Sequence, residues 1–198
     1  MSGGPRRPAG SPPRRFATIV TGVMLLGRGR AEGFGAFANT AQAFLSSLAP
    51  LIAFPLAGTL LALANGEGLD ALRAFLATLC ALLAPPVLSH LVASRYGVAD
   101  RWPRFAAAFN WCQWLIPVLA IVMMAAMSGA MALGLPAGVA GGAVLFALAG
   151  YGLWLHWFLA RRGLGLSRGR AAVLVVLVNA GTIALLVLPD LLDLWRGK

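Results

Sequence analysis

Long uninterrupted apolar runs dominate the sequence from about residue 46 onward. They are separated by short polar stretches and occupy residues 46–64, 69–93, 105–132, 139–160 and 171–188. Each run approaches or exceeds the roughly 17–25 residues that a helix needs to cross the hydrocarbon core of a bilayer. The pattern therefore predicts an all-α fold, a polytopic transmembrane bundle of about five spans, with residues 46–194 forming the transmembrane domain.

The first 30 residues follow a different pattern. Residues 1–15 combine four prolines with four arginines and show no apolar periodicity, which is typical of a disordered basic tail. Residues 16–27 are apolar but are too short to span a bilayer. Arg28 and Arg30 follow at once without a small-residue cleavage site, so an interfacial or packed segment is favoured over a signal peptide.

Residues 31–48 carry apolar side chains at helical spacing. Phe34, Phe37 and Phe44 recur on one stripe, and most of the polar residues fall beside it. This spacing predicts an amphipathic helix that lies at the membrane surface, or packs on the bundle or on a partner. We therefore interpret residues 16–45 as a cytoplasmic, interfacial amphipathic segment before the first span.

Composition supports membrane insertion and argues against a soluble domain. Of 198 residues, 60% are hydrophobic and 11% are charged, and the mean hydropathy is +0.82. Soluble domains carry about 25% charged residues. The net charge of +10 comes from 16 basic and six acidic residues, and most of the basic ones lie at the ends of apolar runs, as is typical of membrane proteins. The expected partner is the lipid bilayer, not nucleic acid.

The distribution of arginine predicts the topology. Arginines precede the first run and fill the second and fourth connections, whereas the connection at residues 133–138 has no charge. By the positive-inside rule, the N-terminus is cytoplasmic and the C-terminus, after five spans, is periplasmic. The high alanine, glycine and arginine content with a single lysine is typical of a GC-rich bacterial gene, so we expect an inner-membrane location. Cys80 and Cys112 lie inside apolar runs and are interpreted as structural thiols.

Strongly polar residues within the spans cluster toward the predicted cytoplasmic side. Asn110, for example, lies six residues after Arg104, which places it about 9 Å into the third span. These residues either line a polar pocket that opens to the cytoplasm or form interhelical hydrogen bonds, and the second interpretation is favoured. The candidate pocket residues are His90, Asn110, Gln113, His156 and Asn179.

Other patterns limit the function. No catalytic motif, metal-ligand motif or phosphate-binding loop is present, and no carboxylate lies in the interior of a span, so we expect no enzyme, no cofactor and no metal. Pro55, Pro85, Pro86 and Pro117 interrupt spans, as in packed kinks or in the broken helices of transporters. Small residues recur at spacing of four on the third and fourth spans, which indicates bundle packing, a homo-oligomer or a membrane-protein partner.

The layout resembles that of Yip-type five-span membrane proteins. The residues that carry the likeness are 44–58, FLSSLAPLIAFPLAG, and 104–117, RFAAAFNWCQWLIP, which are similar to the first-span entry and the Asn-Trp third span of bacterial members. The acidic and Tyr-Gly-Pro segments of the eukaryotic members are not evident. The resemblance implies a five-span architecture and a membrane-organising role, and it assigns no functional residue.

Two functions from different classes follow from these patterns. The favoured one is a non-enzymatic scaffold or accessory subunit that acts through its spans and its amphipathic segment. The alternative is a small transporter or permease subunit with a polar site in the cytoplasmic half of the bundle. Disrupting residues 31–48 would disable the first, whereas changing Asn110, Gln113 or Asn179 would disable the second.

Overall fold

The computed structural model describes the backbone of residues 12–195 and the side chains of residues 16–187. Within that part of the chain, every regular element is helical, which confirms the all-α class. The predicted tail is described only in part: residues 1–11 lie outside the described residues, and residues 12–15 belong to the first helix. The α-helices are α1 Pro12–Gly27, α2 Ala41–Ala64, α3 Gly68–Arg95, α4 Trp102–Cys112, α5 Leu115–Ala132, α6 Ala137–Gly163 and α7 Arg168–Trp195. Two 3-10 helices occupy Ala31–Ala36 and Ala99–Arg101.

Five stretches of helix are long and apolar enough to cross a membrane. They are Ala41–Ala64, Gly68–Arg95, Ala99–Ala132, Ala137–Gly163 and Arg168–Val187. The five predicted spans are confirmed, and the chain is a multi-pass membrane protein. The first span begins five residues earlier than predicted because Thr40 caps α2: its backbone is extended and its hydroxyl accepts a 3.2 Å hydrogen bond from the Ala43 N–H.

The continuous amphipathic helix predicted over residues 31–48 is wrong. The chain forms the 3-10 helix Ala31–Ala36, becomes extended at Phe37 and enters α2 at Ala41. Phe34 and Phe37 are both buried in the core, so their spacing reflects two separate anchoring points and not one helical stripe. The amphipathic helix of the N-terminal region is instead α1, which packs against the 3-10 helix.

The third span consists of two helices. α4 ends at Cys112 and α5 begins at Leu115, within the predicted run of residues 105–132. Pro117 explains the break, because it has no N–H to donate to the carbonyl of Gln113 and its ring would clash with that carbonyl. The Gln113 carbonyl accepts a 3.3 Å bond from the Ile116 N–H instead. In contrast, α2 and α3 continue through their internal prolines.

The core is concentrated at one end of the bundle, which we call the arginine-rich end because Arg95, Arg104, Arg161 and Arg170 lie there. Buried residues are frequent in α4, in the first turns of α2 and α7, and in the last turns of α3 and α6. By contrast, no residue of α5 is buried. The opposite half of the bundle therefore presents most of its apolar side chains to its surroundings.

Helix lengths locate the bilayer relative to this core. The 18 residues of α5 rise about 27 Å, close to the roughly 30 Å thickness of the hydrocarbon core. The 28 residues of α3 rise about 42 Å and so extend beyond it. With the far ends of the helices at one membrane surface, the start of α5 lies at the other hydrocarbon boundary, and the arginine-rich end projects into the headgroup region.

Candidate functional site

α4 forms the centre of the arginine-rich end. Its residues 105–110 are all buried, and it contacts α1, α2, α3 and α6. The alanines Ala106, Ala107 and Ala108 let these neighbours approach closely, since all three are at most 2% exposed. The five candidate pocket residues are distributed around this helix in separate groups.

His156 and Asn179 meet across α6 and α7. The Asn179 Nδ2 lies 3.4 Å from His156 Nδ1 and donates a shorter, 2.8 Å bond to the Val175 carbonyl. The contact with His156 is a hydrogen bond when the imidazole carries its proton on Nε2. The imidazole also packs on the Phe109 ring, with centroids 4.6 Å apart. This pair joins the last two spans to α4.

A small cavity adjoins this pair. His156, Asn179, Ser89 and Phe105 are among the side chains that line it, and its volume is about 10 Å³. That volume is at the lower limit of the space that one water molecule requires. The cavity as it stands accommodates nothing larger.

Asn110 forms a second group with a residue of α2. Its amide Nδ2 donates a 2.9 Å bond to the Ser47 hydroxyl, which donates a 2.6 Å bond to the Phe44 carbonyl. Asn110 is 3% exposed and Ser47 is fully buried. Their bond connects α2 to α4, and neither side chain lines the cavity beside His156.

His90 lies outside the core. Its exposed ring meets the Trp102 ring edge-on, with centroids 4.8 Å apart, in a groove between α2 and α3. The Trp102 indole N–H donates a 3.0 Å bond to the Ser89 hydroxyl, which in turn donates to the Pro86 carbonyl at 3.1 Å. Gln113, the fifth candidate, is half-buried at the break between α4 and α5.

The structure therefore brings His156 and Asn179 together and places Asn110, His90 and Gln113 elsewhere. Each buried polar side chain of the set contacts a neighbouring helix. Among the side chains of residues 16–187, no group of three or more His, Cys, Asp and Glu could hold a metal ion, and Cys80 and Cys112 are both free thiols.

Several contacts involve residues that the sequence patterns did not single out. The Asn39 side chain donates a 2.8 Å bond to the Asp100 carbonyl and accepts a 3.1 Å bond from the Arg104 N–H, which fixes the start of α4 to the segment before α2. The Tyr151 hydroxyl donates a 3.0 Å bond to the Gly27 carbonyl at the end of α1. The polar pair Asn39–Thr40 before an apolar run is a helix-start signal, and it would have located this junction.

α1 presents two different faces. Val23 and Leu26 are buried in the core, whereas Phe16, Val20 and Met24, spaced by four residues, are 58%, 39% and 43% exposed. Phe16 contacts the Trp111 ring edge-on, and Gly27 lies beside Leu115 at the hydrocarbon boundary. α1 is thus an amphipathic helix docked on the bundle at the level where an interfacial helix is stable.

Comparison with known proteins adds no family. No protein-family model, no curated protein and no solved structure matches this chain. The similarity to Yip-type proteins therefore stays a prediction. A functional proposal rests on the membrane architecture and on the contacts described above.

Proposed function

We propose that the protein is a non-enzymatic scaffold or accessory subunit of a bacterial inner membrane, with its arginine-rich end in the cytoplasm. The role is of the membrane-organising kind that the resemblance to Yip-type proteins implies. In this proposal, the arginine-rich end is the rigid body of the protein, and the opposite half of the bundle receives a transmembrane helix from a partner or from a second copy.

One observation supports the proposal most directly. Gly129, Gly138 and Gly142 lie in the far halves of α5 and α6, and a Cβ placed on any of them would meet no atom within 4 Å. Glycines at spacing of four let transmembrane helices approach closely. Since these glycines pack against no side chain that the structure describes, they are free to contact a helix from another chain.

The polar contacts of the core support the same conclusion. Asn110–Ser47 and His156–Asn179 each join two helices. Interhelical hydrogen bonds of this type stabilise a bundle modestly, by about 0.6 kcal/mol each on average. A scaffold requires such a rigid core and requires no solute pathway through it.

The test is purification in native-lipid discs followed by mass spectrometry of the proteins that co-purify. Gly142→Leu fills the open face of α6 and should remove a stoichiometric partner. Gly58→Leu is the matched control, because Gly58 on α2 is also open and should accept leucine without loss of the partner. If the two variants retain the same proteins in the same amounts, the proposed docking face is wrong.

A permease subunit is the second candidate, and the cavity beside His156 and Asn179 favours it. A solute site there would have to enlarge from its present size. A small molecule that co-purifies with the wild type and with Thr182→Val, but not with Asn179→Leu, would replace the scaffold by a permease. Thr182 is a suitable control because its hydroxyl bonds only within α7, to the Val178 carbonyl at 2.8 Å.

A further inference from the structure

A groove runs between α1 and α2, and its character changes along its length. Toward the arginine-rich end its walls include Thr40, Gln42 and Ser46, and its volume there is about 510 Å³. Deeper in the membrane it continues as a wholly apolar section of about 420 Å³. Ile19 and Trp111 line both sections, so the two are continuous at that level.

The apolar section lies at the boundary of the hydrocarbon core. It is lined by Val20 of α1, Phe54 of α2, and Trp114 and Val118 on either side of the start of α5. Phe54 is 67% exposed and Val118 is 53% exposed, so this section opens sideways toward lipid. Its volume falls within the range of about 300–1,000 Å³ that is typical of sites for small molecules.

One further feature points to an anionic headgroup. The backbone of Arg104 lies beside the polar mouth, because its N–H bonds to Asn39, whose neighbours Ala38 and Thr40 line the groove. The Arg104 side chain is exposed and forms no ion pair with a described carboxylate.

We propose that this groove binds one anionic phospholipid from the leaflet at the arginine-rich end. The headgroup occupies the polar section near Arg104, and one acyl chain lies in the apolar section between Phe54 and Val118. The order of the sections matches that of the lipid, with the polar part outside the hydrocarbon boundary and the apolar part inside it. The inference goes beyond the proposed scaffold function and holds for a permease as well.

The test is native mass spectrometry of the purified full-length chain after exposure to an equimolar mixture of phosphatidylglycerol and phosphatidylcholine. The wild type should retain one phosphatidylglycerol in preference to phosphatidylcholine. Val118→Trp fills the apolar section and should lose this lipid, whereas Val122→Trp, one turn along the same exposed face of α5, should keep it. Arg104→Gln should keep one lipid but lose the preference for phosphatidylglycerol.

Circular dichroism shows whether Val118→Trp folds. A second pair of variants tests the same section of the groove without adding a large side chain. Phe54→Ala removes one wall of the apolar section and should lower lipid retention by about tenfold, in line with the burial energy of an aromatic side chain. Leu60→Ala, also exposed on α2 but away from the groove, should leave retention unchanged.

Three outcomes would overturn the proposal. The first is equal lipid retention by Val118→Trp and Val122→Trp, or by Phe54→Ala and Leu60→Ala, which would mean that the lipid binds elsewhere. The second is an unchanged lipid preference in Arg104→Gln. The third is a dimer that carries no lipid and dissociates in Val118→Trp, which would make the groove a contact between two copies of the chain.

Discussion

The hydrogen bond between Asn110 and Ser47 offers the most direct test of how the core is held together. Ser47→Ala removes the acceptor of the 2.9 Å bond and leaves the Asn110 amide unpaired in a site where Asn110 is only 3% exposed. An unsatisfied buried donor costs about 1–3 kcal/mol. We therefore expect Ser47→Ala to lower the free energy of unfolding by about 1–2 kcal/mol, toward the lower part of that range because measured interhelical bonds are weak.

Asn110→Ala should cost more than Ser47→Ala. It removes the same hydrogen bond and also leaves a void at the buried contact between α4 and α2, and a void adds to the cost of a deletion. The double variant isolates the bond itself. If the bond exists, the two single effects should sum to more than the double effect by about 0.6 kcal/mol, and by no more than about 1.7 kcal/mol.

The assay is reversible unfolding in mixed micelles with increasing dodecyl sulfate, followed by circular dichroism, for the wild type, the two single variants and the double variant. Strict additivity of the two single effects, within about 0.3 kcal/mol, would refute the contact. A cellular phenotype lost in Asn110→Ala but retained in an equally destabilised Ser47→Ala would point to a chemical role for the amide beyond packing.

Three further predictions concern the N-terminal region, the thiols and the topology. Gly33→Val should undock α1 and destabilise the protein by about 1–3 kcal/mol, because a Cβ at this position would meet the Gly22 carbonyl at 2.5 Å. Gly35→Val is the control, since a Cβ on Gly35 has no neighbour within 4 Å. Limited proteolysis is the measurement, and equal cleavage rates for the two variants would contradict the prediction. N-ethylmaleimide should spare both thiols in native detergent micelles, because Cys112 is buried and Cys80 lies in the apolar middle of α3, where detergent covers it and excludes water. Intact mass should show no adduct before unfolding and two afterward. A reporter fused to the C-terminus should read periplasmic, and a cytoplasmic signal would reverse the proposed orientation.

The number and approximate limits of the spans could be predicted from sequence because transfer into lipid is a local property. A run of about 20 apolar residues is sufficient to cross a bilayer whatever its neighbours are. The errors arose where a single residue or a distant contact decides the structure. Thr40 moved the start of α2. Pro55, Pro85, Pro86 and Pro117 were all expected to interrupt spans, but α2 and α3 continue through theirs and the third span divides before Pro117.

The N-terminal region and the polar contacts depended on information that periodicity does not carry. Phe34 and Phe37 have helical spacing, yet they are buried on either side of the end of a 3-10 helix because Gly33 lets the chain approach α1 closely. Asn110 and Asn179 were candidates for one shared pocket, with interhelical hydrogen bonds as the favoured alternative, because depth along a helix does not specify its rotation about the axis. The rotation of α4 turns Asn110 toward Ser47 and leaves Phe109 facing His156.

The location of the core at one end of the bundle has a consequence for biogenesis. Leu26 of α1, Phe105 of α4, Leu159 of α6 and Leu174 of α7 belong to one buried cluster, although the ribosome makes the first long before the last. The core therefore cannot close until the seventh helix has entered the membrane. α1 can meet its main partner, the 3-10 helix Ala31–Ala36, as soon as both have been made, and its contacts with α4 and α6 follow. The N-terminal corner of the core can therefore form during synthesis, and α7 completes the cluster last.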